Sequence, residues 1–401
     1  MEDSELMNGP SHKKSRPESP LQQKRRKVVV RVPGTSANLG PGYDCLGLAV
    51  DIWNEITVER SDSFSFSISG IDSERISTEI DPKTGESSNL LVKVLRRAFD
   101  VGGESPMPPL KIHCRNNIPM SSGFGSSSAV IVGGLICGLA LCGKELKVGH
   151  ELTSEGGPNE ELLQLANEIE GHPDNVAPAI YGGIQLCYGM EALAGDAFEP
   201  SMAGCVMSRR LPCPDGMRLV VFVPGAENRF GLGEDKTVAM RGLLSQKVSR
   251  ADAVFNLQRT ALLVDSLHRG DLSYLVTATQ DKLHQPIRAE KAFPHLLPMV
   301  AAALGAGAHG CFLSGAGPTV MAICSGASGD IFAQKSDERQ EQDVAQAMRE
   351  AGERLPPEHK RWALGGHFFI CSPTIRGAHV VCAEPGFSDS LQTFPSLDGS
   401  L

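Results

Sequence analysis

Residues 119–134, PMSSGFGSSSAVIVGG, set Gly123 and Gly125 one residue apart, follow them with Ser126, Ser127 and Ser128, and then run into an apolar stretch. Glycine lets a main chain come close to a bound group. The serines would open the helix that Ala129 to Leu141 continues, and the first turn of a helix offers unpaired N–H donors and a partial positive charge. An anion is stabilised there without any side-chain cation. The stretch therefore suits a phosphate although it contains no lysine, and a serine hydroxyl could ligate Mg²⁺. It matches neither G-x-x-x-x-G-K-[ST] nor G-x-G-x-x-G followed by an acidic residue. A serine-capped turn with no ligand has the same pattern, so the loop alone leaves both readings open.

Three further stretches concentrate polar groups in glycine-rich turns. PGTSANLGPGYDCLG (33–47) carries Ser36, Asn38 and Asp44 in what reads as one loop after a strand. EGHPDNVAPAIYGG (170–183) offers Glu170, His172, Asp174 and Asn175 just beyond a helix end. LSGAGPTV (313–320) is a second glycine turn between strands.

The elements that must position these groups follow from pattern. Residues 28–32 are β-branched and read as a strand ended by Pro33. WNEITVE (53–59) and SFSFSISG (63–70) read as strands, the latter with alternating Phe64, Phe66 and Ile68. The apolar spacing after Asn89 predicts a helix, LKIHCRNNIP (110–119) a strand leading into the opening loop, and NEELLQLANEIEG (159–171) a helix closed by Gly171. IQLCYG (184–189) is a strand and residues 190–216 are loop-rich, so a domain boundary is expected near 210. MRLVVFVPG (217–225) then opens the second half. Residues 250–268, 271–280 and 295–307 read as helices, CFLSGAG (311–317) and TVMAICSG (319–326) as a strand pair, and HVVCAE (379–384) as a last strand. Strands and helices mix without steady βαβ alternation, which predicts an α+β fold.

The chain of 401 residues exceeds what one core usually serves, so two domains are expected: 27–210 and 211–385, flanked by a disordered basic tail (1–26) and a frayed end (386–401). The formal charge is −9, yet residues 1–27 hold seven Lys/Arg against four Asp/Glu, so the remaining body is strongly acidic. Such a body is a poor nucleic-acid binder. KKSR and KRRK in the tail resemble a bipartite nuclear-import signal, although a solubilising tail reads more simply. The apolar run 129–142 is too short to span a bilayer. Eleven scattered cysteines with no C-x-x-C suggest buried reduced thiols in a cytoplasmic protein. A homodimer is left open. Residues 326–349 are charged and have no functional reading.

The order of P-x-x-x-G-x-G-S-S-S, E-G-H-P-D-N and L-S-G-A-G-P-T resembles the GHMP kinases, and TSANLGPGYDCLG with HPDNVAPAIYGG is similar to their homoserine-kinase branch in particular. The resemblance covers roughly residues 27–384. It implies a ribosomal-protein-S5-domain-2-like N-terminal domain and a ferredoxin-like C-terminal domain, with ATP on Pro119, Ser121, Ser122, Gly123, Phe124, Gly125, Ser126, Ser127, Ser128 and Ala129 and with Asn89 near the adenine. It implies Mg²⁺ on Ser127 (or Ser126) and Glu170. It places L-homoserine among Asn38, Asp44, His172, Asn175, Arg241 and Arg288, with Asn175, Glu170 and Ser127 as the catalytic set. Asp44 suits the substrate ammonium and the two arginines its carboxylate. The same residues could instead cap a turn or make ordinary salt bridges. Asn175 cannot take a proton, so a mechanism without a dedicated base is expected. Phe124 stands where the family commonly has leucine, and ENRFGLGEDKTVAMR (227–241) is irregular around Arg241. A mevalonate, phosphomevalonate or shikimate kinase, or a nucleotide-sensing module without turnover, are the rival expectations.

Overall fold

The structure is a computed structural model that describes residues 24–144, 161–190, 204–229, 234–324, 340–363 and 365–386. The first half contains β1 (Lys27–Ala37), β2 (Leu46–Arg60), β3 (Ser65–Gly70), α1 (Leu90–Val101), β4 (Leu110–Asn116), α2 (Ser126–Leu141), α3 (Glu161–Glu170), α4 (Pro173–Tyr181), β5 (Ile184–Gly189) and β6 (Val206–Leu211). The second contains β7 (Arg218–Val223), α5 (Glu234–Gly242), α6 (Arg250–Arg269), α7 (Leu275–Ala278), α8 (Gln285–Lys291), α9 (Leu296–Gly305), β8 (Gly310–Leu313), β9 (Val320–Cys324), α10 (Glu341–Glu353), β10 (His367–Cys371) and β11 (His379–Glu384).

The larger sheet runs β11-β1-β2-β4-β3, and β2 also pairs with β5, which pairs with β6. On the edge away from β1, strand β2 serves two further neighbours because it is long: Leu46–Leu48 pair with β5, and Glu55–Arg60 pair with β4. Val28, Val30 and Val32 alternate inward and are fully buried. They share a core with α2, whose apolar residues point in all directions and are buried on every side. A helix apolar all round is stable only inside a core. That burial fixes where the first turn of α2 emerges. The smaller sheet is antiparallel with order β10-β7-β9-β8, the ferredoxin-like arrangement. Its core joins Phe222, Phe293, Leu296, Leu313 and Val320 to Val344 and Met348 of α10.

Several expectations need correction. Strand β1 does not end at Pro33 but continues to Ala37, with a register shift between Pro33 and Gly34. Proline donates no hydrogen bond, and an irregular point in the ladder tolerates it. Residues 206–211, read as loop, form β6 against β5 because the partner strand supplies the pairing that a polar sequence does not advertise. The helix expected over 271–280 shrinks to α7 and a preceding short turn. Strand β11 follows the second sheet in sequence but pairs antiparallel with β1 of the first.

The basic tail was expected to run to residue 26. Residues 1–23 lie outside the described part, but Arg25 is only 3% exposed, and its main-chain N–H donates to Leu141. Arg26 pairs with Glu59 and Glu384, and Lys24 with Glu104. The second basic cluster is thus built into the sheet edge by charge pairing. All eleven cysteines are free, and burial pushes the thiols of Cys114 and Cys371 up to about 12. Among the described residues, no helix is long and apolar enough to cross a membrane.

Candidate active site

A cavity of about 470 Å³ is lined by residues of both halves, including Gly123, Gly125, Ser126 and Ser127 from one and Lys236, Arg241, Arg288 and Gly315 from the other. Gly125 caps α2 in the left-handed conformation, and no side chain caps the helix. The donors of its first turn therefore remain for whatever occupies the cavity. Gly125 has no room for a side chain: a Cβ there would fall 1.9 Å from Thr35 Oγ1. Gly123 is equally constrained, since a Cβ would meet the Ser314 carbonyl at 2.3 Å. The second glycine turn thus buttresses the first. Ser314 Oγ donates to Gly123 O at 2.8 Å, and the Thr319 N–H donates to Ser122 O at 3.1 Å.

The serines diverge. Ser126 Oγ donates to Met120 Sδ, whereas Ser127 and Ser128 donate to the two carboxylate oxygens of Glu170 at 3.0 and 2.9 Å. Glu170 closes α3, where Gly171 turns the chain at φ 85. Two residues on, Pro173 opens α4, which carries Asp174 and Asn175. Asp174 is 2% exposed and its Oδ1 accepts from His172 Nδ1–H at 2.8 Å. Burial alone would lower the His172 pKa, but the hydrogen bond and charge of Asp174, with Glu170 beyond it, raise it overall. Asn175 Oδ1 accepts from Thr35 Oγ1 at 2.9 Å, which leaves its amide N–H groups as donors.

Also lining the cavity, Arg241 forks onto Asp44 at 2.8 and 2.7 Å. Arg288 is 2% exposed and donates to Gly315 O and His284 Nδ1, both at 3.1 Å. His284 Nε2 faces Gly40 O at 2.8 Å, so Nε2 carries the proton and Nδ1 is the acceptor. Its burial keeps the imidazole neutral, because the pKa moves down. Tyr43 lies beneath both guanidinium groups, 5.5 and 5.7 Å from its ring centre. Asn38 positions the Asp44 loop: its Oδ1 accepts from the Asp44 N–H, and its Nδ2 donates to Gly315 O. Asp44 itself holds a φ of 58.

Two family models match the chain: GHMP kinases N terminal domain over residues 89–183 and GHMP kinases C terminal over 263–354. Homoserine kinase of Desulfitobacterium hafniense is 38% identical over 298 residues, 74% of this chain and 87% of that one. The Moorella thermoacetica homoserine kinase is 40% identical over 298 residues, 74% and 88% of the two chains.

The chain belongs to the homoserine kinase family of GHMP kinases.

A solved homoserine kinase from Cytophaga hutchinsonii shares the fold at a TM-score of 0.65 and 24% identity, covering 91% of this chain and all of that one. A mevalonate kinase structure shares it at 0.55 and 13% identity, over 86% and 99%. Against this family background, the cavity gathers Asn38, Asp44, Asn89, Ser121, Ser122, Gly123, Gly125, Ser126, Ser127, Glu170, His172, Asn175, Arg241 and Arg288. Pro119, Phe124, Ser128 and Ala129 do not line it. Phe124 is fully buried and packs edge-on against Phe369, the Ser128 hydroxyl is spent on Glu170, and the Ala129 N–H bonds back to Gly125. Asn89 caps α1 by accepting from Leu91 N and donates to Ser77 O, so part of its amide is already engaged.

Sequence reasoning missed Thr35, Tyr43 and Lys236. Thr35 and Tyr43 sat within a quoted motif and could have been found by asking what orients its Asn and Arg neighbours. Lys236 heads KTVAMRGLL (236–244), the stretch that carries Arg241, but had no role assigned to it.

Proposed function

We propose that this chain transfers the terminal phosphoryl group of Mg·ATP to the side-chain hydroxyl of L-homoserine, giving O-phospho-L-homoserine on the route to threonine. The observation that carries the reading is the forked Asp44–Arg241 pair with Arg288 beside it, in the same cavity as the open end of α2. A zwitterionic amino acid can exchange with such a pair, its ammonium taking Asp44 and its carboxylate the arginines. Mevalonate, which lacks an ammonium, would draw the arginines from Asp44 and offer the Asp44 carboxylate no counter-charge in return. The names of the curated relatives point the same way.

Phosphoryl transfer needs positioning and charge neutralisation more than covalent help. The main chain of residues 121–127 and the α2 terminus would hold the phosphates. One carboxylate and one hydroxyl, Glu170 and Ser127, suit Mg²⁺, which is commonly held by one or two carboxylates together with substrate phosphates. Among the described residues no cluster of three or more His, Cys, Asp or Glu forms an all-protein cage. Bound there, the ion neutralises phosphate charge. Phe66, Ile68 and Asn89, which line the same cavity, would take the nucleobase.

Asn175, fixed through Thr35, donates to the substrate hydroxyl oxygen. That oxygen bonds to the terminal phosphorus as the bridging bond to the β-phosphate breaks. ADP leaves, and the hydroxyl proton passes to an oxygen of the transferred group. Asp174 Oδ1 is engaged with His172 and serves to orient the imidazole, so no dedicated base is required. The same reading makes residues 27–210 the ATP-binding part and 211–385 its partner, with β11 returning to the first, and places the protein in the cytoplasm, in keeping with its free cysteines.

An ADP-release assay with L-homoserine, mevalonate and 4-hydroxybutanoate tests the proposal. Turnover is expected with homoserine and is expected to fall strongly when the ammonium is missing. Equal rates with all three, or ATP binding without turnover, would rule it out. A loss of several thousandfold in Asp174→Asn, with folding and homoserine binding intact, would overturn the base-free step.

A further inference from the structure

Lys236 is the one lysine of the cavity that is buried, at 7% exposure, and it comes from the half of the chain opposite the glycine loop. It stands in the first turn of α5 and reaches across the cavity wall. Its Nζ donates to Ser121 O at 3.0 Å and to Gly317 O, so it ties the phosphate-loop turn to the second glycine turn. An ammonium has three donors, and these bonds use two. Among the described residues it forms no ion pair with a carboxylate. Burial lowers its pKa to about 7, and the nearby cations Arg288 and Arg229 add to the lowering. Arg229 is already paired with Asp72, but Lys236 holds only carbonyl oxygens and Arg288 stands near it, so its charge is poorly compensated until a counter-charge arrives.

We propose that Lys236 is the cation the phosphate loop lacks: its ammonium, supplied by the second half of the chain, pairs with the terminal phosphates of the bound nucleotide. The proposal rests on the nucleotide reading given above. Lysine binds phosphate as a compact point charge, and the main chain of α2 contributes only partial charges. The anion site would then be complete only where the two halves meet, which couples phosphate binding to their relative placement.

The test uses calorimetric affinities for Mg·ATP and for AMP on the full chain, its Lys236→Met variant and its Lys236→Gln variant. Glutamine keeps a donor for the Ser121 and Gly317 carbonyls but carries no charge, so it separates a cation from a clamp. Both variants are expected to lose roughly 10- to 100-fold in Mg·ATP affinity, the size of one charge-assisted hydrogen bond. AMP affinity should stay within about twofold, because AMP has no terminal phosphates to meet the ammonium. Wild-type Mg·ATP affinity in Lys236→Gln, or an equal loss for ATP and AMP, overturns the proposal. So does failure of both variants to fold, which would make Lys236 a structural clamp. Absence of Mg·ATP binding to the wild-type chain would instead remove the nucleotide reading itself.

Discussion

At the α2 end of the cavity, the groups proposed to meet phosphate are main-chain donors held by two glycine turns that leave no room for a side chain at Gly123 or Gly125. Elsewhere in the same cavity, the groups proposed to meet the amino acid are side chains: a forked carboxylate–guanidinium pair and a buried arginine propped by a neutral histidine. The first end is specified by backbone shape and tolerates many side-chain changes except at glycine. The second is specified by charge and tolerates little change in charge, with Asp44 held in place by Asn38. A phosphate is the same in every nucleotide, so a fixed cradle serves. A small zwitterion has to be told from other small alcohols, and opposite charges at a set spacing do that.

The comparison can be broken at several points. Glu170→Gln should have the largest effect, a fall in kcat of about 10²–10³ with little change in the KM for homoserine, read by steady-state kinetics. The change removes a full charge that Ser127 and Ser128 now orient. Gly125→Ala should cost about 10² in kcat/KM by displacing the cradle, since small misplacements of a reacting group are expensive. It should do so for every acceptor alcohol alike.

Arg288→Leu should raise the KM for homoserine roughly 10- to 100-fold, while the KM for ATP moves far less. If both KM values rose together, the two sets of groups would not be separate devices. The smallest effect concerns pH. The His172 pKa is raised in the fold by Asp174 despite the lowering effect of burial. Its contribution to stability is therefore complete below the ordinary histidine value of about 6.5 and is lost as pH rises through the folded-state value. The Tm deficit of His172→Gln relative to the wild-type chain should be larger near pH 6 than near pH 9 by thermal denaturation. A deficit that grows with pH would contradict the assigned direction.

How legible each part was follows from the range of the interaction. The glycine loop could be read directly because its pattern is local: two glycines, three serines and an apolar helix are contiguous. The strand-and-helix framework around it was readable for the same reason, since alternation and helical spacing are properties of short windows. Strand β6 was not, because VMSRRL is stabilised by its neighbour β5 and not by its own pattern. Nor was the return of β11 to β1, a pairing between the two ends of the described chain. Lys236 was unreadable because its meaning lies in two carbonyl oxygens of distant turns.

From its sequence alone, the chain determined an α+β framework, a glycine-led helix start that could hold an anion, and the residue types needed for a zwitterion. Only the tertiary structure decided that Asp44 and Arg241, 197 positions apart, face each other, and that Lys236 reaches a loop 115 positions before it. Local backbone preference acts over a few residues, whereas those meetings depend on two separate cores packing so that side chains from each enter one cavity.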